Sequence, residues 1–178
     1  IRGLNYTYNA DGYIWKYLGV DKTTARAASE NDQNYIIYRL ADVLLMKAEA
    51  LIMQGHNEDA ADLIDRTRER AGLGETTLSD DRMVMLETLL VERQKEFFGE
   101  GKNWFDLLRI GLRSEQLNDT QYKTLFVEQA LKAVGASRQS LGRATLANSG
   151  SWYLPYSEDE LSKNPLLEQS DYYQSISN

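Results

Sequence analysis

Aromatic residues crowd the first twenty positions. Tyr13, Trp15 and Tyr17 alternate with Ile14 and Lys16. Period-two alternation sets the three rings on one face of an extended strand. Tyr6 and Tyr8 lie across the turn-like Asn9-Ala10-Asp11-Gly12, so the segment predicts a small β-hairpin whose partner strand can join the same face. A row of flat rings does non-covalent chemistry. Ring faces pack on the C–H faces of sugars, while rim hydroxyls bond polar groups. Trp152, in Trp152-Tyr153-Leu154-Pro155, is a fourth candidate ring. The alternative use of such rings is packing, across strands and against helices.

Covalent chemistry finds little to work with. There is one histidine, His56, in a polar turn, and there are no cysteines. That removes thiolate chemistry, disulfides and cysteine-ligated zinc, and no HExxH pattern occurs. Gly72-Leu73-Gly74-Glu75 opens like a dinucleotide fingerprint but lacks the third glycine and follows a helical pattern. Gly101-Lys102 lacks the glycine five positions earlier that a phosphate loop requires. No GxSxG elbow is present, and no pair among the acids is marked out for glycosidase work. The reading is therefore a binding protein rather than an enzyme, with no catalytic residue, metal ligand or cofactor assigned. Glu49, inside an apolar helix, is expected in a structural ion pair with Arg39, Arg68 or Arg93.

The elements that must carry these residues are helical. The chain has 178 residues, 42% hydrophobic and 26% charged, enough for a domain with a core. From Tyr35 to Ala71 two amphipathic helices follow one another. Leu40, Val43, Leu44, Ala48 and Leu51 recur on one face of the first; Ala60, Leu63, Ile64, Thr67 and Ala71 mark the second. Gly55 and Gly72 suit their ends, and Asn57 suits the N-cap between them. A third helix is expected from about Arg82 to Phe98, with Leu86, Leu89, Leu90, Arg93 and Phe97 inward and Glu92, Arg93 and Glu96 pairing on its surface. A short fourth, Trp104 to Ile110, ends at Gly111, with Trp104, Phe105, Leu107 and Leu108 as core. Thr120–Val134 fits another helix, with Tyr122, Leu125, Phe126, Ala130 and Ala133 on one side. The Ser-, Gly- and Asn-rich stretch from Gly135 to Ser151 reads as a long surface loop. Ser157 caps one short turn, stopped by Asn164-Pro165. The fold class is mainly α: stacked tetratricopeptide-like helix pairs with a small β-hairpin and long loops. The chain reads as one domain, 1–178, with helix pairs over 35–111, a variable helix and loop over 112–151 and a tail over 152–178.

Three phrases, in order, carry a resemblance. They are RLADVLLMKAEA (Arg39 to Ala50) with RTRERAGL (Arg66 to Leu73); LLVERQKEFFGEGKNWFDLLRIG (Leu89 to Gly111); and WYLPYSEDELSKNPLLEQ (Trp152 to Gln169). Together they resemble the C-terminal part of the SusD/RagB family, over Tyr13–Gly111 and Trp152–Gln169. The tail departs from it: Gln169 is followed by Ser170, Asp171, Tyr172 and Tyr173 where the family has an Asn-Pro-Gly-Tyr-like ending.

The resemblance implies a surface-exposed outer-membrane lipoprotein that binds a nutrient, most often a glycan, and delivers it to a SusC-like TonB-dependent transporter. Its lipid anchor is expected upstream of this sequence. Tyr13, Trp15, Tyr17 and Trp152 are the expected ligand-binding residues; none is carried over from a family motif. Two other functions remain open: peptide uptake, and a scaffold that docks on the transporter without a ligand site of its own. Net charge is −7, which disfavours nucleic acid as a partner, since phosphate backbones need clustered Lys and Arg.

Overall fold

The structure, a computed structural model, describes residues 35–176. Tyr13, Trp15, Tyr17 and the expected hairpin lie outside that range. Among the described residues there are eight α-helices, one 3₁₀ turn and no strand. The chain divides into two compact units, 1–103 and 104–178.

In the first unit, α1 (Leu40–Gln54) and α2 (Asn57–Arg70) form a helix hairpin onto which α3 (Arg82–Glu96) packs. The turn between α1 and α2 is fixed by Gly55 at φ 83°. Its N–H reaches the Ile52 carbonyl at 3.1 Å, and the His56 N–H reaches Leu51 at 2.9 Å. This is the Schellman arrangement, which satisfies two carbonyls the helix end would leave open. Gly72 closes α2 in the same way, with Leu73 bonded back to Arg68. The cap of α2 differs from expectation. His56 holds the N-cap position, and Asn57, already helical, donates to the Ser79 carbonyl at 2.8 Å. Asp81 caps α3 by accepting the Met83 N–H at 2.7 Å.

The buried face of α1 is rotated from the expected one. Ala41, Leu45, Ala48 and Ile52 are buried, while Leu40 and Val43 are exposed. Apolar residues run almost all round this helix, so spacing alone admitted two faces. The acids decide: Asp42 and Glu49, one heptad apart, go in with Leu45. In α2, Ala60, Ala61, Ile64 and Thr67 are buried; Ala71 is exposed. In α3, Leu86, Leu89, Leu90, Arg93 and Phe97 are buried as expected, joined by Met85 and Glu92. Each large aliphatic side chain enclosed this way contributes about 1.5–3 kcal/mol.

The second unit holds α4 (Asn103–Leu117), α5 (Thr120–Leu131), α6 (Ala136–Leu146), the 3₁₀ turn Ser149–Trp152, α7 (Glu158–Lys163) and α8 (Asp171–Ile176). Two expectations fail here. Helix α4 does not stop at Gly111 but runs through it, because Gly111 is a contact residue. A Cβ there would sit 3.0 Å from Phe126 Cγ and 3.1 Å from Trp152 Cζ3. The stretch from Gly135 to Ser151 is not a long loop: most of it is α6. Its Gly142 lies so near Leu131 that a Cβ would fall 2.5 Å from Cδ2. In both helices the glycine permits close approach, whereas composition suggested a breaker. The short turn behaves as expected, with Ser157 Oγ accepting the Glu160 N–H at 3.2 Å.

Candidate functional site

Trp152 belongs to an aromatic cluster in the second unit. Its ring lies 4.5 Å from that of Phe126, which meets Trp104 edge-on at 5.7 Å. Its indole N–H donates to the Leu146 carbonyl at 2.9 Å, and its own carbonyl accepts from the Trp104 indole at 3.2 Å. Only 2% of Trp152 is exposed. A buried indole with its donor satisfied is a packing residue, so Trp152 offers no open face to a ligand in this structure. Trp104 is 40% exposed and Phe105 more so, against their expected place in the core. Leu107 is buried as expected, and Ile110 joins it.

In the first unit the groups that carry charge gather around Phe97. The Arg39 guanidinium bonds both carboxylate oxygens of Glu100 at 2.8–3.2 Å, Glu96 Oε1 at 2.5 Å and the Glu96 carbonyl at 2.6 Å. Arg70 also pairs with Glu96, and Arg68 pairs with Glu92 at 3.1 Å. Asp42 receives Arg93 at 2.9 Å and, on its other oxygen, Lys102. The guanidinium carbons of Arg39 and Arg93 lie 4.7 and 4.8 Å from the Phe97 ring centroid, within reach of cation–π attraction.

Burial works against charge at Asp42, yet the hydrogen bonds from Lys102 and Arg93 prevail and hold its carboxyl below its usual range. Burial likewise opposes the charge on Arg39, and the Glu100 and Glu96 bonds outweigh it, so its pKa rises. Glu92, Arg93 and Glu96 thus pair with residues of other elements. Glu49 is enclosed in α1. Asp42, Glu100 and Lys102 were not singled out from sequence. The available signal was two acids seven residues apart inside an apolar helix.

The ions of this lattice pair with one another, an arrangement that holds segments together. Two open clefts lie elsewhere on the described residues. One, about 390 Å³, lies between the N-terminus of α2 and Asp80 and Arg82. The other, about 760 Å³, is lined by Tyr156, Leu161, Gln169, Tyr173 and Gln174 among others. Among the described residues no group of three or more His, Asp or Glu is placed to hold a metal ion, and no helix is long and apolar enough to cross a membrane.

Comparison with known proteins agrees with this helical architecture. Three SusD-like proteins of Formosa agariphila match at 37% identity over 89 residues, 36% over 114 and 29% over 171. These matches cover 46%, 57% and 94% of this chain but only 18%, 21% and 28% of the relatives. The chain thus spans a minor part of their length. The crystal structure of a SusD superfamily protein from Bacteroides fragilis superposes with a TM-score of 0.54 at 28% identity, covering 77% of this chain and 28% of that one. The model of the SusD family matches residues 4–173. With tetratricopeptide-like helix pairs and a family match over nearly its whole length, the chain belongs to the SusD family.

Proposed function

We propose that this chain is part of a non-catalytic nutrient-binding protein of the bacterial outer-membrane surface. The nutrient is a glycan, delivered to a SusC-like TonB-dependent transporter. The observation that carries this reading is the family match over residues 4–173. The absence of nucleophile and metal motifs from the sequence accords with it. So does the acidic balance of −7, which leaves neutral oligosaccharides as the favoured ligands. Within the chain, the ligand-facing set is Tyr13, Trp15 and Tyr17, whose alternation suits stacking on sugar rings.

The test is a titration with neutral oligosaccharides, acidic oligosaccharides and peptides, followed by tryptophan fluorescence and confirmed by calorimetry. A saturable sugar response that disappears in a folded Trp15→Ala variant is the expected result. A response that survives that substitution removes the aromatic stretch from the site. A peptide response in place of a sugar response moves the protein to peptide uptake.

A second reading has an observation in its favour. Trp152 is enclosed, and the charged lattice of the first unit is internally paired. That favours a scaffold that docks on the transporter while other parts of the protein bind ligand. Failure of every ligand in the panel, with retained binding to the transporter, is the outcome that selects it.

A further inference from the structure

The segment Tyr35–Arg39 reaches α1 without burying a single side chain. Tyr35, Ile37 and Tyr38 are 61%, 67% and 73% exposed, and Ile36 and Arg39 are only partly covered. Its ties to residues 96–102 include ring contacts, with the Lys102 ammonium 4.7 Å from the Tyr38 ring centroid and Arg39 4.7 Å from that of Phe97, and three sets of polar bonds. The Tyr35 hydroxyl donates to the Glu100 carbonyl at 2.7 Å. The Lys102 ammonium donates to the Ile37 carbonyl at 2.5 Å while also holding Asp42. Arg39 closes on Glu96 and Glu100 through the fork described above. The Tyr35 hydroxyl lies close over the backbone of the 96–102 turn. Gly101 stands at φ 69°, and a Cβ there would sit 2.9 Å from the Tyr35 hydroxyl.

We infer that Tyr35–Arg39 is a detachable strap: a segment clasped to the 96–102 turn by ionic and hydrogen bonds, able to open while α1, α2 and α3 stay packed. The reasoning is a division of labour between forces. The three helices are held by Leu45, Ile52, Ile64, Met85, Leu86 and Leu89, all fully enclosed. No side chain of the strap is among those fully enclosed residues. Its described attachment is mainly polar bonds and cation–ring contacts, each of modest net strength because water competes for the same groups when the segment lifts. Segments with few buried apolar contacts open below the global unfolding free energy. The Glu100 side chain is fully enclosed and that of Glu96 nearly so, so the clasp has a defined closed geometry.

The test uses the full chain and limited chymotrypsin digestion, with cleavage sites identified by mass spectrometry. Tyr35 and Tyr38 are the reporters. In Glu100→Gln the Arg39 clasp loses one of its anions while shape and acceptors remain and the Arg70–Glu96 pair is kept. Cleavage after Tyr35 and Tyr38 is expected to rise at least tenfold over the parent. Cleavage within α1–α3 and the helical circular dichroism should stay unchanged at the same temperature. Arg39→Lys, which keeps the charge and loses the fork, should give an intermediate rate. Unchanged cleavage at the two tyrosines overturns the proposal. So does a rise that occurs only together with cleavage inside the helices, because the segment would then open only by global unfolding.

Discussion

Asp42 shows how much one side chain can carry. It sits on the buried face of α1 and takes Arg93 on one oxygen and Lys102 on the other, so removing its charge leaves two cations facing a neutral amide. Breaking a buried pair at one partner costs about 3–5 kcal/mol, and Asp42→Asn is expected near the low end because the amide oxygen still accepts. Chemical denaturation at pH 7 measures this, and a loss under 1 kcal/mol would show that the pair is solvated in practice. The pH dependence has a definite sign. The folded carboxyl titrates below its ordinary value of 3.8. Its stabilisation is therefore complete above that value and is lost as pH falls below it. The stability gap between parent and Asp42→Asn should be flat from pH 5 to 7 and should close below pH 3.8. A gap that closes at higher pH would point to another group. Sequence alone did not reach this residue. A single acid among Leu40, Ala41, Val43 and Leu44 looks like an interruption of the apolar face until the burial of Glu49, seven positions on, shows which face that is.

At the level of elements, the caps were readable except at α2, where His56 stands in the place expected of Asn57, and the glycines inside helices were not. Gly55, Gly72, Asp81 and Ser157 act where local chemistry alone dictates them: a left-handed turn, or an oxygen for a free N–H. Gly111 and Gly142 owe their identity to distant partners, Phe126 with Trp152, and Leu131. No local pattern encodes that, which is why α4 runs past its expected end and α6 occupies an expected loop. Gly111→Ala separates the two roles. In a free helix the change stabilises by roughly 1 kcal/mol. Here the new methyl meets two enclosed rings at 3.0–3.1 Å, and overpacking typically costs about 1–3 kcal/mol. A melting temperature lowered by several degrees is expected in thermal circular dichroism. A raised melting temperature would mean that the Phe126–Trp152 pair yields easily. The aromatic candidates divide in a similar way. Trp152 proves to be a core ring because Leu146, Phe126 and Trp104 converge on it from three other elements, a fact invisible in the run Trp152–Pro155.

For the molecule as a whole, net charge is the property that sequence states outright. With −7 at neutral pH, long-range repulsion falls on anionic ligands whatever the local site. If the glycan reading holds, neutral oligosaccharides should bind more tightly than sulfated or uronic ones of equal length. The difference should narrow as salt rises from 20 to 500 mM, because the Debye length falls below about 10 Å beyond 0.1 M. A preference for the anionic series that survives high salt would reveal a dedicated basic site instead. The fold class, too, was open to reading at this scale: the three recognisable phrases lie on α1–α2, α3–α4 and the tail.

The tail holds one more lesson. The Gln169 side chain accepts the Tyr156 N–H at 3.2 Å and donates to the Tyr156 carbonyl at 3.0 Å. An amide side chain thus imitates a neighbouring strand and pins together two residues thirteen positions apart. One side chain thereby sets where the chain leaves and rejoins around residues 157–168, so Gln169→Ala would unlatch both ends of that excursion in a single change.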